Sequence, residues 1–337
     1  LFAALPFDIS GMKFAAGVGF VEYANADYYY ENRTAFSRDL DYITLPIAAR
    51  PHDSVAADWR RDVRERDGSI YGYGGALSAT IAENFSVGIS GIYFSGTMKD
   101  MQTSERYGQL QIFYKDFRYV AKDSLSIVVA NGTSDVHGLE LTFSAVYRTK
   151  NLLFGASFKL PTKINRDFTV TSDSTYGAMT VALPEDKGSD NITLPWCGSV
   201  GIGINLRTNV FLSCEYEYKP YRLAEYTDKD GIVTKPWLDC SNFHFGMEYL
   251  PVDIVAVRFG FQTKSEVFEQ QANAFRGDPV SYTVYSAGVG VRVLPNIQIN
   301  LGYEYFNMHY EDNWFLNTNV NKDIRSTLFG SISYTLK

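Results

Sequence analysis

The side chains that most often carry catalysis are few in this sequence. Its four histidines are His52, His137, His244 and His309, and no serine and aspartate stand at a spacing from them that indicates a catalytic triad. A glycine-rich stretch at 198–203 lies inside an alternating segment, where glycine is a small strand residue rather than part of a phosphate-binding loop. The sequence therefore predicts that the protein is not an enzyme.

Cysteine spacing and overall charge argue against other kinds of site. The three cysteines, Cys197, Cys214 and Cys240, cannot all pair with one another, and their spacing matches no metal-binding template. We therefore expect neither a metal ion nor another cofactor. The formal net charge of -7 argues against a nucleic acid as the main partner, because phosphates attract an excess of Lys and Arg.

The charged residues follow a pattern that places them on one side of β-strands. Between Leu139 and Tyr147 apolar residues occupy the odd positions, whereas Glu140, Ser144 and Arg148 occupy even ones. Successive side chains of a strand point to opposite faces, so this alternation predicts a strand with one apolar and one polar face. Similar stretches recur along the whole chain.

About twelve such strands are predicted, joined by two kinds of connection. The strands lie near 12–30, 69–82, 84–101, 136–149, 151–170, 190–207, 209–226, 239–250, 254–268, 279–294, 296–311 and 323–337. Tight turns at 83–84, 149–150, 208–209, 251–253 and 295–296 alternate with long polar loops at 31–68, 102–135, 171–189, 227–238, 269–278 and 312–322. Strict alternation of this kind is typical of membrane barrels, which have short turns on one rim and long loops on the other.

Hydropathy and aromatic content support a barrel. Mean hydropathy is -0.16, and no run of about 18 apolar residues is present, which excludes a transmembrane helix. The chain contains 24 Tyr and 23 Phe, a composition that suits long boundaries between water and lipid. In lipid every backbone polar group needs an internal partner, which a closed barrel provides. The sequence predicts an all-β fold, an antiparallel transmembrane β-barrel that forms a single domain over residues 1–337.

If the apolar side chains face lipid, their neighbours line the inside of the barrel. This inner face carries charges of both signs, which we expect to pair across strands because a lone buried charge is costly. It also carries apolar residues that would suit a hydrophobic ligand, or that would instead pack locally under loops. The predicted ligand-binding residues are Val21, Ile92, Phe94, Phe211 and Phe329, with Arg148, Lys159, Arg258 and Arg292 as candidate cations for a carboxylate.

A basic run lies in the first long loop. Arg60, Arg61, Arg64 and Arg66 are interleaved with acidic residues, which favours a solvated loop. Contact with the phosphates of lipopolysaccharide is the alternative interpretation.

Several stretches, taken in order, resemble the FadL-type outer-membrane transporters of long-chain fatty acids and aromatic hydrocarbons. They are Leu5–Phe7 with Met12–Phe20, Gly138–Lys150 followed by Leu153–Pro161, the strand start at Leu194–Pro195, and the acidic and aromatic run Glu215–Tyr218. The resemblance extends over nearly the whole chain, and the order of the motifs carries it.

The resemblance implies a barrel of about fourteen strands with an N-terminal plug, in the outer membrane of a bacterial cell. Leu1–Phe7 corresponds by position to the tail of the second strand, so we expect the plug and the first strand to precede this sequence. The third strand, Met12–Tyr30 here, is expected to kink and open a sideways exit.

The kink maps to Glu22, Tyr23, Ala24 and Asn25. Alternation also breaks at this point, and Glu22 would face lipid if the register continued, a cost that a bulge removes. Alternatively, Glu22 simply lies at the outer boundary of the membrane.

The function implied by the resemblance is passive uptake of hydrophobic small molecules such as long-chain fatty acids, with lateral release into the bilayer. Its partners would be the hydrophobic ligand, outer-membrane lipid and lipopolysaccharide. One alternative is a non-transporting FadL-like barrel that is a partner subunit of an outer-membrane protein-secretion complex, with the loops 31–68 and 102–135 as contact surfaces to other outer-membrane proteins. Another is a general porin, which predicts ion conductance.

Overall fold

A computed structural model describes residues 1–34, 54–113, 118–269, 279–314 and 317–335 of the chain. Most of these residues belong to one antiparallel β-sheet. Within the described ranges no helix is long and apolar enough to cross a lipid bilayer.

The sheet has eighteen strands in the described part of the chain. They are β1 (Phe2–Ile9), β2 (Met12–Asn25), β3 (Tyr28–Thr34), β4 (Ser54–Ala82), β5 (Phe85–Phe113), β6 (Arg118–Arg148), β7 (Leu152–Lys159), β8 (Thr162–Tyr176), β9 (Met179–Leu194), β10 (Cys197–Arg207), β11 (Val210–Lys219), β12 (Glu225–Thr227), β13 (Val233–Thr234), β14 (Cys240–Val252), β15 (Val255–Glu269), β16 (Pro279–Leu294), β17 (Ile297–Trp314) and β18 (Asn317–Tyr334). Each of the twelve predicted strands coincides with one or two of these, so the all-β antiparallel prediction is confirmed.

Strand pairing follows the order of the chain. Antiparallel pairing joins β1 to β2, β4 to β5, and β5 to β6. It also joins the consecutive strands from β14 through β18. Between them, β6 pairs with β7 and β8, β10 with β7 and β11, and β9 with β8 and β12. Among the described residues β1 pairs with β2 alone and β18 with β17 alone.

Tight turns lie where the sequence predicts them. Two-residue turns occur at Glu83–Asn84, Thr208–Asn209 and Pro295–Asn296, and another at Asp253–Ile254, one residue beyond the prediction. A further tight turn at Ser10–Gly11 has positive φ angles of 51° and 82°, the conformation that suits the twist of a two-residue hairpin.

Several predicted long loops are wrong. Strands β4, β5 and β6 contain 29, 29 and 31 residues and include most of the predicted loops 31–68 and 102–135 that the structure describes. Strands β8 and β9 likewise contain most of 171–189, and β17 and β18 contain most of 312–322. Charged and polar residues are frequent in these stretches and interrupt the apolar alternation, although their Thr and Val favour strands. Residues 270–278 of the loop 269–278 lie outside the described residues.

Three neighbouring strands are interrupted at prolines. The breaks are at Leu160–Pro161 between β7 and β8, at Pro195–Trp196 between β9 and β10, and at Pro220–Ala224 between β11 and β12. Proline cannot donate to a strand ladder, so a central strand cannot continue through it unchanged. After Pro220 the chain makes a 3-10 turn at Tyr221–Leu223.

The two faces of the sheet differ in chemistry. The outer face carries exposed large apolar side chains along neighbouring strands, for example Leu77, Ile89, Phe143 and Leu301. The inner face carries most of the charged side chains and glycines of the same strands. The described core is correspondingly small, and its largest fully buried side chains are Phe94, Val280 and Val284.

Candidate functional site

The inner face contains an apolar cavity of about 370 Å³ where β1, β2, β4 and β5 lie side by side. Val21 and Ile92 contribute its largest inner-face side chains besides Phe2, and Ser90 is the only polar side chain among the lining residues. This volume is within the usual range for small-molecule sites.

Glycines make the room for this cavity. Its lining includes Gly17, Gly19, Gly74, Gly75 and Gly91, where paired strands present backbone instead of side chains. The wall is therefore thin. Val18 and Phe20, whose side chains belong to the outer face, are also among the lining residues, so the cavity lies directly against the backbone of β2.

An aromatic stack lies immediately beyond the cavity, toward the end of the sheet opposite the tight turns. Tyr23 follows Val21 by two residues in β2, and Phe94 follows Ile92 by two residues in β5. The rings of Tyr23 and Phe94 are 4.6 Å apart with an interplanar angle of 10°. Phe94 is fully buried, and it lies so close to Gly138 that a Cβ there would be 2.3 Å from Phe94 Cζ.

The hydroxyl of Tyr23 is held by a carboxylate on β6. Tyr23 Oη donates to Glu140 Oε2 at 2.7 Å, and Lys159 Nζ lies 2.8 Å from the same oxygen. Glu140 is buried, so both partners contribute to its solvation. Tyr23 thus connects β2 to β6, although β4 and β5 lie between them.

Tyr23 is also the extra residue of a β-bulge. The register between β2 and β4 pairs Glu22 with Tyr71 and Ala24 with Ile70, which leaves Tyr23 without a partner. Glu22, the preceding residue, accepts a hydrogen bond from Ser69 Oγ at 2.7 Å. The irregularity therefore lies within the stretch for which a kink is predicted, while its role as an exit remains a prediction.

Some of the charges of the inner face pair across strands as expected, and others pair along one strand. Arg258 Nε lies 2.6 Å from Glu248 Oε2, and its Nη1 donates to Asn300 Oδ1 at 2.9 Å. Glu217 accepts from Asn242 at 2.7 Å and lies 3.0 Å from Lys219 Nζ. A satisfied lattice of this kind fixes the wall.

Beyond the apolar band of the outer face, a buried carboxylate organises the inner side of β8 and β9. Asp190 accepts hydrogen bonds from Arg166 Nε and from Tyr226 Oη, both at 2.9 Å. Burial opposes the charge, but these two hydrogen bonds outweigh it and hold the pKa of the Asp190 carboxyl below its usual value.

The basic run is neutralised internally. Arg60 pairs with Asp62 at 2.9 Å, Arg61 with Glu31 at 3.0 Å, and Arg66 with Asp100 at 2.6 Å. Arg64 also has an interaction partner. The run lies in β4 rather than in a loop, so its pattern reflects cross-strand pairing and weakens the case for a lipopolysaccharide contact.

The structure brings together some of the predicted ligand-binding residues and separates others. Val21 and Ile92 line the cavity, and Phe94 lies next to it beneath Tyr23. Phe211 and Phe329 lie on β11 and β18, each over a glycine of a neighbouring strand.

The four candidate cations fall into two groups. Lys159 and Arg258 are engaged by Glu140 and Glu248. Arg148 and Arg292 are exposed near tight turns, and neither side chain makes an ion pair within the described ranges.

Sequence reasoning missed two features of the site. The first is the part of the glycine-lined cavity wall that β4 contributes, for which Gly74 and Gly75 were an available signal. The second is the aligned interruption of three strands, which Pro161, Pro195 and Pro220 could have indicated. Among the described residues no group of three His, Cys, Asp or Glu side chains is placed to hold a metal ion.

Comparison with solved structures shows which fold this is. A FadL homologue from Pseudomonas aeruginosa is 13% identical, with a TM-score of 0.56 over 98% of this chain and 75% of that one. A TodX deltaS2S3 mutant monoaromatic hydrocarbon channel is 9% identical, with a TM-score of 0.59 over 99% of this chain and 82% of that one. The CymD monoaromatic hydrocarbon channel is 11% identical, with a TM-score of 0.55 over 99% and 86%.

Sequence comparisons add nothing to this result. No protein-family description matches the chain, and no characterised protein matches it by sequence. The likeness therefore concerns the fold, which is that of FadL-type outer-membrane β-barrel channels.

Proposed function

We propose that this protein is a channel of the bacterial outer membrane through which hydrophobic small molecules pass without chemical change. The observation that carries the proposal is the apolar, glycine-floored cavity on the inner face of a sheet whose outer face exposes large apolar side chains. The FadL-type fold supports it, and so does the location of Val21 and Ile92 in the cavity wall.

The outer face fits a lipid bilayer. Aromatic side chains are exposed both near the tight turns, as at Phe85 and Tyr147, and further along the strands, as at Tyr73 and Tyr285. Two aromatic belts flanking an apolar band are typical of outer-membrane barrels, because tyrosine rings prefer the water–lipid boundary. Outer-membrane lipid is therefore the proposed surrounding of this face.

The proposed ligands are hydrocarbons or fatty acids. The cavity offers no charged side chain, so it suits the apolar part of either class. The carboxylate of a fatty acid would have to lie outside it, where Arg148 and Arg292 are two of the inner-face cations for which the described part of the chain shows no ion pair. We also propose lateral release, supported by the bulge at Tyr23, which interrupts the pairing of β2 with β4 beside the cavity.

Binding and uptake test this function. Ile92→Asp places a charge inside the cavity, and we expect it to weaken binding of a labelled neutral hydrocarbon at least about tenfold, because burying an unpaired carboxylate costs several kcal/mol. The matched control is Ser157→Asp, which adds the same charge to the inner face of β7, where Ser157 contacts Ser199 at 2.9 Å. Equal affinity of the two variants would exclude this cavity as the binding site.

A role as a partner subunit of a protein-secretion complex is the second candidate. It is favoured by strands β4, β5 and β6, which at 29 to 31 residues are far longer than the roughly ten residues that a membrane-spanning strand needs. Their outer parts would provide a surface for other outer-membrane proteins. Purification from native membranes in a stable larger assembly, together with absence of hydrocarbon binding, would favour this candidate.

A further inference from the structure

We propose that Tyr23 is a gating residue, latched by Glu140, that controls access from the outer part of the lumen to the apolar cavity. The proposal rests on the proposed function, since it assigns a role to the same cavity. It is carried by the position of the Tyr23 ring, by its hydrogen bond and by the bulge from which it projects.

Position is the first step. The cavity is lined by Gly19 and Val21 of β2, Gly74 of β4 and Ile92 of β5. Moving away from the tight turns, the next inner-face positions on these strands are Tyr23, Gly72 and Phe94. Tyr23 therefore lies directly above the cavity.

The Tyr23 ring covers this row of positions. A Cβ on Gly72 would lie 2.9 Å from Ile92 Cγ2, 3.3 Å from Val21 Cγ1 and 3.5 Å from Tyr23 Cβ, so these side chains close over bare backbone. The ring then lies flat on Phe94, with the two centroids 4.6 Å apart. Ring and glycine together lie next to the outer end of the cavity, one inner-face position beyond the lining residues Val21, Gly74 and Ile92.

The hydroxyl determines where the ring rests. Its donation to Glu140 Oε2 at 2.7 Å is the only hydrogen bond from this side chain that the described residues show. Lys159 Nζ, 2.8 Å from the same oxygen, keeps the carboxylate in place as an acceptor. Hydrogen bonds to charged groups are among the stronger ones in proteins, so the closed position is favoured.

The backbone allows the ring to move. As the extra residue of a bulge, Tyr23 has no cross-strand partner in β4, and the nearest inner-face position of that strand is Gly72, so no β4 side chain at that position confines its ring. Phe94, in contrast, is fully buried and packed against Gly138, so it remains as a fixed surface. The mobile partner of the stack is therefore Tyr23.

The test measures how fast a hydrophobic probe reaches the cavity. N-phenyl-1-naphthylamine fluorescence is followed by stopped flow with the protein in detergent micelles. The signal of the Ile92→Asp variant, whose cavity should not bind the probe, is subtracted as background. Tyr23→Phe keeps the stacking ring and removes the hydroxyl, and we expect it to accelerate probe binding about ten- to a hundredfold. Tyr93→Phe, which removes a hydroxyl from the outer face of β5, should change the rate less than about twofold.

A second variant tests the latch itself. Glu140→Gln weakens the acceptor, and we expect faster binding that is not increased further by Tyr23→Phe, because both changes break the same bond. Unchanged rates in Tyr23→Phe, or full additivity of the two changes, would overturn the gate. If wild-type protein and Ile92→Asp give the same signal, the proposed cavity function fails instead, so the two failures are distinguishable.

Discussion

Arg258 donates from Nη1 to Asn300 Oδ1 at 2.9 Å, although a whole strand, β16, lies between them. The guanidinium passes over Gly290, where a Cβ would be 2.9 Å from Arg258 Nη1 and 2.6 Å from Asn300 Oδ1. Glu248 on β14 and Ser331 on β18 extend the same row at 2.6 Å and 3.3 Å. A line of polar side chains thus crosses the five strands from β14 to β18. It can cross β16 because Gly290 has no side chain to block it.

Gly290→Ala should break this line. The methyl group would displace Asn300 Oδ1 and Arg258 Nη1, and loss of a charge-assisted hydrogen bond predicts destabilisation of about 1–3 kcal/mol. Urea unfolding in lipid vesicles, followed by tryptophan fluorescence, measures it. Gly155→Ala is the matched control, since a Cβ there meets nothing within 4 Å, and we expect it to be neutral or slightly stabilising. Equal stability of the two variants would contradict the interpretation.

Gly138→Ala should damage the aromatic stack. A Cβ at this position would lie 2.3 Å from Phe94 Cζ and 2.8 Å from the backbone oxygen of Lys163, which cannot yield as a side chain can. Overpacking predicts a loss of about 1–3 kcal/mol in unfolding free energy.

The control for this change is Gly132→Ala on the same face of β6, where the nearest atom would be at 3.4 Å. We expect Gly138→Ala also to accelerate probe binding, because Phe94 is the surface on which Tyr23 rests. A Gly138→Ala protein with the stability of Gly132→Ala would show that Phe94 can move freely.

Much of the fold could be predicted from the sequence, and the physical reason is the difference in chemistry between the two faces of the sheet. Where one face of a strand is apolar and the other polar, side chains alternate as they do from Leu139 to Tyr147, so these segments are visible in the sequence. In the outer parts of β5 and β6 charged and polar residues interrupt the alternation, and the sequence therefore predicts loops there.

The site was less predictable than the fold. The inward direction of Val21, Ile92 and Phe94 followed from alternation alone, and the break of register at Glu22–Ala24 was visible as a lapse in it. Burial of Phe94 beneath Tyr23 depends on strands that are distant in the sequence, and alternation contains no information about such contacts. The engagement of Lys159 by Glu140 is of the same kind.

The stability of β8 and β9 should depend on pH through Asp190. Since the folded pKa of its carboxyl lies below the ordinary value of 3.8, its contribution is present above that value and is lost as pH falls through the folded pKa. Asp190→Asn should destabilise this region by about 1–3 kcal/mol at neutral pH and progressively less in acid. Hydrogen exchange of amides near Phe168 measures the effect. Asp167→Asn, on the exposed face of β8, is the control, and a difference between wild type and Asp190→Asn that persists at low pH would argue against the assignment.

The orientation of the whole sheet can be tested at two adjacent residues of β6. Phe143 is exposed on the outer face, six positions before the tight turn that begins at Thr149, whereas Ser144 belongs to the inner face. If the outer face meets lipid, Phe143→Arg should cost about 2–4 kcal/mol, because an arginine near the bilayer midplane loses its hydration. Ser144→Arg should cost far less, since it adds its charge to a polar lumen. Folding into phospholipid vesicles, measured by the shift in electrophoretic mobility, gives both values, with Phe143→Leu as a control for loss of the ring. If instead Ser144→Arg is the costly change, the apolar face lies inside, and the membrane location and the cavity function would both have to be abandoned.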